Sequence, residues 1–149
     1  MLRISRHFYE EIIAHCQSKY PKEACGLLAG QAGDVVAIYL MTNVEDSPIG
    51  YAMDPKEQLQ VEKQMRKQGQ RLLGIFHSHT ASDAYPSSVD VRLAISPEVS
   101  YVLVSLKDRT HPVLKSYRIG GSRITPEDAV IEDGPCRTGL PAAPKTPSG

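Results

Sequence analysis

Near the start of the chain, apolar residues recur at three- and four-residue steps: Phe8, Ile12 and Cys16, flanked by Tyr9, Ile13 and Tyr20. That spacing lines one face of an amphipathic helix, and Pro21 ends it. The apolar run Ala24 to Gly30 and the Val- and Ile-rich run Asp34 to Met41 then read as two strands around a glycine-containing turn, with Glu23 at the first strand's beginning. Asn43 to Gly50 carries turn chemistry. Asp54, Pro55 and Glu57 supply an N-cap, a proline at the first helical position and an early acid, so a second helix is expected to about Gln68. Leu72 to Phe76 is an apolar run of strand length that leads directly into His77-Ser78-His79. Small and polar residues make Thr80 to Pro86 a loop, and a short helix opens at Ser87-Ser88-Val89-Asp90. Ser100 to Leu106 and Val113 to Ile119 form a hairpin about the polar turn Lys107 to His111. Strands interleaved with helices predict an α/β fold with a mixed sheet covered by helices.

Composition narrows the function. With 149 residues, one domain is expected, and Gly134 to Gly149, rich in proline and poor in large apolar groups, reads as a loose tail after a domain over residues 1–133. Lys plus Arg number 17 and Asp plus Glu 17, so there is no broad positive field for nucleic acid or an acidic membrane. The longest uncharged apolar stretch, near Val35 to Val44, falls short of the roughly 20 residues that a transmembrane helix needs. Three cysteines, Cys16, Cys25 and Cys136, make neither a disulfide framework nor a C-x-x-C pair, which fits a reducing cytoplasm.

The chemistry concentrates after the strand ending at His79. Alternate strand residues share a face, so His77 and His79 can present two imidazoles to one point while Ser78 faces away. The loop after them is long enough to return Asp90, and two histidines with a carboxylate suit zinc. Three protein ligands leave a position open, at which zinc activates water and polarises a carbonyl. Glu23 is the candidate general base, taking a proton from the attacking water and passing it to the leaving amine. Ser87 can aim a hydroxyl at the oxygen that becomes negative. Together these parts describe amide hydrolysis.

These residues resemble the JAMM (MPN-plus) metalloproteases, whose motif is a Glu upstream of His-x-His-x7-Ser-x2-Asp. Here it reads Glu23, His77-Ser78-His79, Ser87 and Asp90, with Pro86-Ser87 and the opening Glu23 to Leu28 also similar. The composition would produce the four downstream positions about 0.0007 times by chance, so the spacing is no accident. Thr80 departs from the proline that many members carry after the second histidine.

The resemblance implies a three-layer α/β/α, cytidine-deaminase-like fold, with His77, His79 and Asp90 holding one Zn2+ per chain. Glu23 would be general acid/base and Ser87 the oxyanion partner. It implies cleavage of a peptide or isopeptide bond at the C-terminal tail of a ubiquitin-like protein. Short prokaryotic members act on sulfur-carrier proteins, releasing an amino acid such as cysteine from their Gly-Gly end. By analogy, an extended tail could add as a strand near Asn43 to Met53. The oligomeric state stays open, a homodimer included.

Each residue also has a plainer reading. Ser87 and Asp90 have capping-box spacing, which a helix start alone would explain. His77 and His79 could be satisfied polar residues at a strand end. Glu23 alone would be a surface carboxylate. Cys25 reads as a buried apolar thiol, His111 as solvated, and Glu62 to Lys67 as a solvated helix face. A non-catalytic MPN-type scaffold for protein–protein contact is the alternative function, and the intact motif argues against it.

Overall fold

The computed structural model describes residues 1–133. The expected tail over 134–149, with Cys136, lies outside the described residues. Eight strands and three helices follow in the order β1 (Leu2–Ser5), α1 (Arg6–Lys19), β2 (Cys25–Gln31), β3 (Asp34–Met41), α2 (Pro55–Lys67), β4 (Arg71–His79), α3 (Ser88–Leu93), β5 (Ser100–Ser105), β6 (Val113–Gly120), β7 (Arg123–Glu127) and β8 (Ala129–Glu132). The strands form one sheet in the order β7-β6-β5-β4-β2-β3-β1-β8. It is mixed: β4 runs parallel to β5, and β1 parallel to β3 and β8, while the other pairs are antiparallel.

The helices form where apolar spacing (α1) and capping signals (α2 and α3) placed them, and local chemistry sets their ends. Ser5 caps α1 by accepting from the Phe8 amide, and Asp54 caps α2 by accepting from the Lys56 amide. Each helix buries one stripe. Phe8, Ile12, Ile13 and Cys16 of α1 pack with Leu28, Ile38, Phe76 and Val102 of the sheet. Val61 and Met65 of α2 pack with Leu27, Ala37, Tyr39 and Ile75. Adjacent residues Leu27 and Leu28 thus belong to different clusters, as the period of two in a strand buried on both sides requires. Fully burying each such aliphatic side chain is worth about 1.5–3 kcal/mol. Gly26 lets β2 lie close to β4, because a Cβ there would sit 2.1 Å from the Phe76 ring.

Three strands were not anticipated by the hydrophobic pattern: β1, β7 and β8. All are short, and β7 and β8 are the two edges of the sheet. Cys25 is fully buried, as expected, and His111 is exposed. Among the described residues, no helix is long and apolar enough to cross a membrane.

Candidate active site

The site lies where central strand β4 ends. His77 and His79, both buried, turn their rings to one side, and their Nε2 atoms come within 3.2 Å of each other. Ser78 between them faces the opposite way and is fully buried. Its Oγ accepts from the Ala24 amide at 2.8 Å, and its own amide donates to the Ala24 carbonyl at 3.0 Å.

The loop from Thr80 to Pro86 folds back under hydrogen bonds from below. Ser105 Oγ donates to the Ser82 carbonyl and Tyr117 Oη to the Ala84 carbonyl, each at 2.6 Å. Thr80, at the position of the expected proline, donates its hydroxyl to the Pro48 carbonyl at 3.0 Å. The return delivers α3, whose first turn is a capping box. Ser87 Oγ accepts from the Asp90 amide at 3.1 Å, and Asp90 Oδ2 accepts from the Ser87 amide at 2.8 Å. The capping reading of this pair therefore holds, and it coexists with a place in the site. Asp90 Oδ1 lies 3.1 Å from His77 Nε2, and Oδ2 lies 3.0 Å from His79 Nε2.

These donors suit a metal ion. A tetrahedral zinc with bonds of about 2.0–2.1 Å separates its ligand atoms by roughly 3.3 Å, close to the spacings seen here. His79 Nδ1 must carry a proton, because its partner at 2.9 Å is the Asp83 carbonyl. In the neutral ring Nε2 is then bare, as a ligand requires. Burial pushes the His77 imidazolium down, against the hydrogen bond to Asp90, so that ring favours its neutral form. Burial opposes the charge on Asp90, but hydrogen bonds from His77 and His79 outweigh it and hold the carboxyl well below its usual range. For His79 the same balance favours the cation: burial lowers it, while Asp90 and the Asp83 carbonyl raise it further.

Glu23 stands just before β2 and is 7% exposed. It lines the same cavity, of about 430 Å³, as His77, His79, Ser87 and Asp90. Burial pushes its carboxyl up to about 7; His79 works against this, and Asp90 and Glu45 reinforce it. The structure thus brings all five expected residues into one cavity. Around its mouth stand Ile49, Val89, Leu93 and Ile95, all exposed. Sequence reasoning missed Tyr51, which lines the cavity and stacks on His77 with ring centroids 4.6 Å apart and planes at 27°. Its position in a turn region left no periodic signal.

A mixed sheet with paired histidines and an aspartate at the exit of a central strand, beside a buried glutamate, brings together groups able to hold a metal ion and move a proton. Residues 5–120 match the family described as prokaryotic homologs of the JAB domain, and the chain belongs to that family of JAMM-type peptidases. It is 43% identical over 129 residues to the CysO-cysteine peptidase of Mycobacterium tuberculosis, covering 85% of this chain and 88% of that one. A protein of Desulfitobacterium hafniense, solved in solution, superposes with a TM-score of 0.82 at 40% identity, covering 90% of this chain and 94% of the other. A crystallised JAB1/MPN domain protein from Archaeoglobus fulgidus shares the fold, with a TM-score of 0.54 at 18% identity over 89% of this chain and 97% of its own.

Proposed function

We propose that this chain is a zinc-dependent peptidase that hydrolyses a bond at the C-terminal tail of a ubiquitin-like sulfur-carrier protein. The observation that carries this reading is the meeting of His77, His79 and Asp90 around one point, with Glu23 in the same cavity. The likeness to a relative named CysO-cysteine peptidase supports the substrate class. It favours a linear peptide bond with an amino acid as leaving group. In the same reading, residues 1–133 form the catalytic domain, a three-layer, cytidine-deaminase-like fold that works in the cytoplasm.

Zinc held by His77 Nε2, His79 Nε2 and an Asp90 carboxylate oxygen would supply a Lewis acid that activates water and polarises the scissile carbonyl. The remaining work falls to the chain. Glu23 accepts the proton of the attacking water and delivers it to the departing amine. Burial, which raises this carboxyl to about 7 in the metal-free site, favours its holding a proton between the two transfers. The acceptor side of the Ser87 hydroxyl is taken by the Asp90 amide, and its proton is donated to the carbonyl oxygen as negative charge develops. The apolar mouth at Ile49, Val89, Leu93 and Ile95 seats an extended tail and excludes bulk water.

The test is to incubate the purified protein with the ubiquitin-like carriers of its own source, each extended by one C-terminal cysteine, and to weigh the products by mass spectrometry. Loss of one cysteine residue, abolished by chelation and restored by zinc, is expected. Intact carriers, or cleavage indifferent to chelation, would overturn the proposal.

A further inference from the structure

The half-buried side chain of Asn43 uses its full hydrogen-bonding capacity, and one of its partners is the residue assigned as base. Its amide nitrogen donates to the Glu23 carbonyl at 2.9 Å and to the Gly50 carbonyl at 3.0 Å. Its amide oxygen accepts from the Glu45 amide at 3.0 Å and from the Ala52 amide at 3.1 Å. Two donors and two acceptor positions are thus all occupied. The same segment holds Glu23 from its other side, because the Glu23 amide donates to the Ser47 carbonyl at 2.8 Å. Both backbone groups of Glu23 are therefore gripped by residues 43–53. The next residue, Ala24, is tied to Ser78 between the two histidines.

We infer that Asn43 is a positioning residue, which sets Glu23 against the His77–His79–Asp90 cluster and, through Gly50 and Ala52, holds Tyr51 stacked on His77. This rests on the assignment of Glu23 under the proposed function. Asn43 touches no reacting atom. Its effect is on the placement of the Glu23 carboxylate and of the ring that backs His77, where an error of about 1 Å costs on the order of 100-fold in rate.

Two variants separate positioning from charge and from fold. Asn43→Asp keeps acceptors for the Glu45 and Ala52 amides but loses both donors. Asn43→Ala loses everything without adding charge. Kinetics on a carrier extended by one cysteine should show kcat reduced about 10- to 100-fold in both, with KM within about twofold. Zinc content should stay at the wild-type level, and amide hydrogen exchange at Glu23 should quicken while that at Ser78 does not. Unchanged kcat in both variants, or a loss in Asn43→Asp alone, would overturn the inference. So would a loss that disappears once rates are expressed per folded, zinc-loaded molecule. Glu23→Gln is measured alongside. If it keeps wild-type kcat, the assignment of Glu23 falls and this inference with it; if it is inactive while the Asn43 variants are not, the positioning role alone falls.

Discussion

Ser78 and Ala24 are joined by a reciprocal pair of hydrogen bonds, Ala24 amide to Ser78 Oγ at 2.8 Å and Ser78 amide to Ala24 carbonyl at 3.0 Å. The histidine pair lies on β4 and the glutamate just before β2, and this bridge, between residues 54 apart in sequence, ties the two segments together. Ser78 is fully buried, so its removal leaves a buried amide without a partner. Ser78→Ala is expected to destabilise the protein by about 1–3 kcal/mol, read from urea unfolding. An unchanged midpoint would show that the bridge contributes nothing net.

Metal retention should divide the site residues into two groups. His77→Ala and Asp90→Ala each remove a donor and should lose both zinc and activity, whereas Glu23→Gln should keep about one zinc per chain and lose hydrolysis by roughly 100- to 10,000-fold. Elemental analysis of the purified variants checks the first, and product release checks the second. Zinc retained by Asp90→Ala would remove that carboxylate from the ligand set.

Glu23 should also cost the metal-free protein stability. Its carboxyl is raised by burial from 4.5 to about 7, so the folded state holds this proton more tightly than the unfolded chain does. Stability is therefore withdrawn as pH rises from about 4.5 through 7. With chelator present, Glu23→Gln should be more stable than wild type above pH 7 by about 2 kcal/mol, allowing for water that reaches the carboxyl from the cavity. The gain should vanish near pH 4. Thermal melts across that range would show it, and a pH-independent difference would contradict it.

Glu127 acts with the opposite sign. It accepts from Ser100 Oγ and Ser116 Oγ, each at 2.7 Å, and from Arg118 Nε at 2.8 Å, so it ties β7 to β5 and β6. Burial opposes its ionisation, but these three donors outweigh it and hold the carboxyl below its ordinary value of 4.5. The stability it contributes is present above that value and is lost as pH falls through the lowered one. Glu127→Gln is expected to cost about 2 kcal/mol at neutral pH. The difference should shrink in acid, as denaturant titrations at pH 7 and in strong acid would measure.

Helices α1 and α2 were legible because their signals are local: a stripe of apolar residues every three or four positions for α1, and an N-cap, a proline and an early acid for α2. The five site residues were legible because their chemical types are rare in combination and their spacing suits a strand end followed by a returning loop. Strands β1, β7 and β8 were not. Leu2 and Ile4 gain a place only by pairing with β8 and β3, far along the chain, and β7 and β8 are short edges with little buried surface. The roles of Asn43, Ser78 and Tyr51 were equally hidden, because an amide, a hydroxyl and a phenol say nothing until their partners are known.

By itself, then, the sequence determined which atoms could bind a metal and move a proton, since ligand type and strand alternation are properties of neighbouring residues. Tertiary structure alone decided that Glu23 lines the same cavity as they do, how far its carboxyl is raised and what holds it there. Those depend on burial and on hydrogen bonds between segments that only folding brings into contact.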